Sequence, residues 1–212
     1  MNPKARTAAA LLALITWSGF LIQFSATYQV QGSIFATLWI LLWYFTIFTN
    51  LLVAIVFTTL AAKSSPAIHP SLVAATTLYI LLVGIIYGLL LRGTLDLHGR
   101  EIISNTIFHV VIPILVPIFW PIFTTKGHLT RRDPLVWAIY PIAYLAYALI
   151  RGEFTHRYPY PFLNINTLGW PLTLLNATVI AIAFLAAGYL VVWLDTLLAR
   201  RTTRPNTLQQ SS

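Results

Sequence analysis

Residues 37–60 read TLWILLWYFTIFTNLLVAIVFTTL and contain no charged side chain. At 1.5 Å rise per residue, a helix of that length crosses a hydrocarbon core of about 30 Å. Its middle, WYFTIFTN at 43–50, nevertheless holds two threonines and an asparagine among leucine, isoleucine and aromatic residues. The apolar length decides the fold class. The polar insertion raises the question of function.

The same pattern recurs on both sides. Apolar segments at about 7–27, 71–91, 102–123, 134–151 and 170–198 each reach or approach spanning length. With 37–60 they predict an all-α, polytopic bundle of six transmembrane helices. Residues 1–212 form this single domain, and 199–212 are expected to be a polar cytoplasmic tail. Composition agrees: 58% of residues are hydrophobic and 8% charged, where soluble domains hold about 25% charged residues. Mean hydropathy is +0.78. The net charge of +8 is dispersed between apolar runs, so it does not predict a nucleic-acid partner. With no cysteine, disulfides and thiolate metal sites are excluded. The first segment follows Lys4 and Arg6 but is long for a signal peptide and lacks a small-x-small cleavage site. It is expected to be the first membrane helix.

Orientation follows from the basic residues. Lys4, Arg6, Lys63, Lys126, Arg131, Arg132, Arg200, Arg201 and Arg204 fall on one side; Arg92, Arg100, Arg151 and Arg157 fall on the other. Nine against four predicts both termini in the cytoplasm of a multi-pass cell-membrane protein. Trp39, Trp43, Trp120, Trp170 and Trp193 lie near span ends, where amphipathic rings meet the interface.

Polar side chains inside a span need a reason, because the helix satisfies its own backbone. Thr46 and Asn50 are four apart on the second span, and Asn105 and His109 four apart on the fourth, so each pair shares a helix face. Counted from the expected span starts, Thr46 lies roughly 13 Å deep and His109 roughly 10 Å, with Asn176 near the same level. The bland alternative is real. Thr46 can bond back to the Leu42 carbonyl, and asparagine or histidine can merely bridge helices. Thr49, Thr58 and Thr76 are read as such helix glue, and Gly84 with Gly88 as a GxxxG packing face. His109 is harder to dismiss, since an intramembrane ionisable residue is by default a candidate functional group. Pro113, Pro117 and Pro121 are expected to bend the helix beyond it.

Chemically, a threonine hydroxyl becomes a nucleophile when a neutral imidazole takes its proton. Asn105 would orient the ring or bond substrate, and Asn50 or Asn176 would donate to an oxyanion. No acid completes a triad, no carboxylate is expected in a span interior, and no histidines have metal-ligand spacing. Neither a metal nor a cofactor is predicted, and no span lysine is present to form a retinal Schiff base. The loop RGEFTHRYPYPFLN at 151–164 carries Tyr158, Tyr160 and Phe162 between prolines. It either caps a cavity, with Arg151 or Arg157 meeting a lipid head group, or is a plain interfacial anchor with an Arg–Glu pair.

Three motifs resemble those of the androgen-induced-gene-like membrane proteins: Tyr44-Phe45-Thr46, then Asn105, His109 and Pro113 in an Asn-x3-His-x3-Pro pattern, then Tyr160 to Leu163 as Tyr-Pro-Phe-Leu. Bacterial six-helix relatives look closer still, and the resemblance runs from about 40 to 200. It implies a membrane-embedded hydrolase of fatty-acyl esters with Thr46 as nucleophile and His109 as base. This chain departs from the animal pattern in having Thr106 where that pattern has a second histidine. The run after Thr46 also differs, which leaves Thr49 as an alternative match. Two other functions stay open: a non-catalytic binding or transport protein for lipids or small molecules, and a structural component.

Overall fold

The computed structural model describes residues 2–62, 68–94 and 96–202. Lys63 and Arg204, which enter the orientation count, and residues 203–212 of the expected tail lie outside these. The chain is 84% helical and, among the described residues, carries no strand. Its elements in order are α1 (Pro3–Gln31), α2 (Ile34–Leu41), α3 (Phe45–Ala62) and α4 (Pro70–Ile86), the last running into a π turn at Tyr87–Leu91. Then come α5 (Arg100–Thr106), a π turn at Ile107–Val111, α6 (Ile112–Phe123), α7 (Asp133–Thr155), a 3-10 turn at Pro161–Leu163, and α8 (Ile165–Thr202).

Local chemistry sets these ends. Asn2 accepts a hydrogen bond from the Ala5 N–H at 2.8 Å and Pro3 opens α1, while Gly32 closes it in the left-handed region. His69, from a loop, caps α4 by accepting from the Ser71 N–H at 3.2 Å. Gly169 has φ of +70° inside α8, two residues before Pro171. The long straight part of that helix therefore begins where the sequence places the sixth span.

Six helical segments are long and apolar enough to cross a membrane: Pro3–Gln31, Phe45–Ala62, Pro70–Leu91, Arg100–Phe123, Asp133–Thr155 and Ile165–Arg200. Their outward faces are apolar, as with Leu21, Ile139, Phe154 and Trp193, which suits lipid rather than water. The fold is that of an integral membrane protein. Its tightest packing joins α1, α3, α4 and α6, where Val53, Phe57, Ala74, Ile80, Ile112 and Val116 are fully buried. α7 and α8 pack on each other and on α4. Gly84 seats α4 against α6: a Cβ there would stand 2.6 Å from the Pro113 Cβ. Gly88 faces open space, so the expected GxxxG face reduces to a single contact.

The second span departs most from expectation. It is not one helix over 37–60. Between Leu42 and Tyr44 the chain turns, with the Trp43 and Tyr44 N–H groups reaching only to Ile40 and Leu41, and a new helix starts at Phe45. Such a break strands carbonyls, which is costly in an apolar medium unless other groups satisfy them. One face of α7 supplies the donors. The Tyr144 hydroxyl donates to Trp43 O at 2.8 Å, the Tyr147 hydroxyl to Leu42 O at 2.7 Å, and Arg151 Nη2 to Trp39 O at 2.6 Å.

Arg151 also corrects the loop reading. It is 7% exposed and caged by the Trp39 and Trp43 rings at 4.1 and 4.8 Å, so it meets neither a head group nor a glutamate. One carboxylate is buried near a span end. Asp195 of α8 is 2% exposed and accepts from the Gly127 and Leu129 N–H groups at 2.8 and 3.1 Å, tying the α6–α7 loop to α8.

Candidate functional site

Because helix α3 begins at Phe45, Thr46 is its second residue rather than a residue deep in a long span. His109 stands at the centre of the Ile107–Val111 π turn, where the Ile112 N–H reaches back five residues to Ile107 O. Pro113 follows, and its missing N–H removes the donor that would close an α turn on the His109 carbonyl. Single π turns inside helices recur at functional sites because they re-aim a side chain.

The turn aims His109 at Thr46. Thr46 Oγ1 and His109 Nε2 are 3.1 Å apart. The other ring nitrogen, Nδ1, lies 3.1 Å from the backbone carbonyl of Asn105. A carbonyl only accepts, so in a neutral imidazole the proton sits on Nδ1, and the Nε2 lone pair faces the threonine hydroxyl. The Tyr87 ring stacks on the imidazole with centroids 4.4 Å apart and planes at 27°. The Tyr87 hydroxyl in turn accepts from Asn105 Nδ2 at 2.7 Å. The ring is thus held by a face, a carbonyl and the threonine.

Thr46 and His109 form the polar end of a cavity of about 150 Å³ bounded by α3, α4, α7, α8 and the 3-10 turn. Tyr144 and Tyr160 share that end; the remaining wall is apolar, with Leu82, Ile86, Ile142, Ala181 and Phe184 among its residues.

The other sequence candidates fare unequally. Asn50 is fully buried, but its amide donates back to Thr46 O at 2.9 Å and it does not line the cavity. Asn105 orients the imidazole through its backbone carbonyl; its side chain is spent on Tyr87. Asn176 donates to Phe162 O at 3.1 Å and borders a separate hollow, so it reaches no oxyanion at Thr46. Thr49 faces the Tyr140 hydroxyl at 3.4 Å, not His109. Thr106 is exposed and bonds back to Ile102 O at 2.7 Å. Tyr160 alone among the proposed contacts lines the cavity beside Thr46.

Sequence reasoning missed Tyr87 and Tyr144. For Tyr144 a signal exists: Tyr140, Tyr144, Tyr147 and Arg151 are spaced 4, 3 and 4 apart, a polar stripe on one helix face. For Tyr87 there is none, since a tyrosine near a span end is ordinary.

Comparison with protein-family models, curated proteins and solved structures finds no match to this chain. Fold and site together define a class, a polytopic α-helical membrane protein with a Thr–His pair lining an apolar cavity.

Proposed function

We propose that this protein is a membrane-embedded hydrolase of fatty-acyl esters, with Thr46 as nucleophile and His109 as general base. One observation carries the reading: the Thr46 hydroxyl lies 3.1 Å from a histidine nitrogen whose partner nitrogen is held on a carbonyl. That is the tautomer a base requires. Thr46 Oγ attacks the ester carbonyl carbon while its proton passes to His109 Nε2. Collapse of the tetrahedral adduct breaks the carbon–oxygen bond to the alcohol, which departs with that proton. Water then attacks the acyl-threonine, giving its proton to Nε2, and the released Thr46 oxygen takes it back. The apolar wall accommodates an acyl chain, so the substrate is a membrane lipid or lipid-like ester. The resemblance in sequence motifs supports the same chemistry. The bias of basic residues supports cytoplasmic termini in a cell membrane. Thr46, His109 and Tyr160 then lie toward the outer side.

Hydrolysis of 4-nitrophenyl acyl esters by the purified protein in detergent tests this. Wild-type turnover is expected to fall at least about 100-fold in Thr46→Ala and in His109→Ala, with unchanged melting temperature, and to persist in Thr49→Ala. A wild-type protein that acyl chains stabilise but that turns over no ester would be a binding protein instead.

A further inference from the structure

The Thr–His pair leaves the charge developing on the ester carbonyl oxygen without an assigned partner, and neither asparagine proposed for it reaches the cavity. We infer that Tyr160 supplies the hydrogen bond that stabilises this oxyanion; the assignment rests on the hydrolase reading.

Tyr160 is 8% exposed and lines the polar end of the cavity with Thr46. Its ring is held by Phe162, stacked at 5.2 Å and 3°, and by Tyr44, edge-on at 6.2 Å and 67°. Proline at 161 opens the 3-10 turn that turns this ring inward. Phe45 and Thr46 are the first two residues of α3, so their N–H groups have no carbonyl within the helix to bond. Tyr144 shares the polar end of the cavity with Tyr160 and Thr46. Tyr144 is not the donor, because its own O–H is committed to Trp43 O. The Thr46 proton faces His109. Of the two phenols lining the cavity beside the atom that attacks, Tyr160 is therefore the one whose O–H can turn to a bound ester carbonyl.

In the reaction, the carbonyl π pair moves onto oxygen as Thr46 Oγ bonds to carbon, and the Tyr160 O–H shortens its hydrogen bond to that oxygen without transferring its proton.

Tyr160→Phe keeps the ring and removes the donor. With a 4-nitrophenyl acyl ester, kcat is expected to fall about 100-fold while KM stays within about twofold and the melting temperature holds. Replacing Tyr160 with a ring-fluorinated tyrosine, which keeps shape and hydroxyl but changes its acidity, is expected to alter kcat; a purely structural role would not respond. Retention of kcat within about threefold in Tyr160→Phe, or an unchanged kcat in the fluorinated protein, would overturn the assignment while Thr46→Ala remains inactive. Turnover persisting in Thr46→Ala would instead overturn the hydrolase reading, and the assignment with it.

Discussion

At the scale of single residues, polarity in an apolar span proved a good guide to position and a poor guide to partners. Thr46, Asn50, Asn105 and His109 are all enclosed in the bundle, yet only Thr46 and His109 meet through side chains across it. Asn50 shows why. A side-chain amide one turn beyond Thr46 finds the Thr46 carbonyl more easily than a ligand, and its Oδ1 is left buried without a partner. Asn50→Leu exchanges one local hydrogen bond and one orphan acceptor for an apolar group of similar size. Its effect on stability is expected to stay within about 1 kcal/mol. Thermal melting in detergent checks this, and ester turnover should remain within a few-fold of wild type. A collapse of turnover without a change in melting would return Asn50 to the chemistry.

At the scale of elements, the spans themselves were legible from length and composition, because six uncharged or nearly uncharged runs leave few alternatives in lipid. The break at Leu42–Tyr44 was not. Residues 37–60 contain neither glycine nor proline, and nothing local asks the helix to stop. Its support comes from a hundred residues away, where Tyr144, Tyr147 and Arg151 on α7 take up the stranded carbonyls. Long-range satisfaction of this kind has no signature in the broken segment. The break in α8, by contrast, is written locally in Gly169 and Pro171. The π turn under His109 is half-written: Pro113 announces irregular pairing, but not that the imidazole will swing toward Thr46. Glycine packing divides in the same way. Spacing pairs Gly84 with Gly88, while only Gly84 meets a neighbour closely. Gly84→Leu is expected to destabilise the fold by about 1–3 kcal/mol, since the added side chain enters the Pro113 ring. Gly88→Leu should be close to neutral. Parallel melting curves decide it, and equal losses at both positions would restore the symmetric packing face.

At the scale of the whole molecule, the bundle places its candidate chemistry at the end opposite the termini. Thr46 opens α3, His109 lies in the first half of the α5–α6 segment, and Tyr160 comes from the α7–α8 connection, all three at the same end of six antiparallel passes. The helices below line an apolar chamber, and Tyr160 and Phe162 of the aromatic loop line it as well. No carboxylate or metal is required by the proposed sequence of proton transfers. The central claim is that Thr46 is a nucleophile because His109 removes its proton. The most direct measurement is peptide mapping after exposure of the purified protein to a fluorophosphonate, which forms a stable adduct with an activated hydroxyl. The account predicts one phosphonyl adduct on Thr46, lost in Thr46→Ala and His109→Ala and retained in Thr49→Ala. An adduct on another residue, or undiminished labelling of Thr46 in His109→Ala, would contradict it.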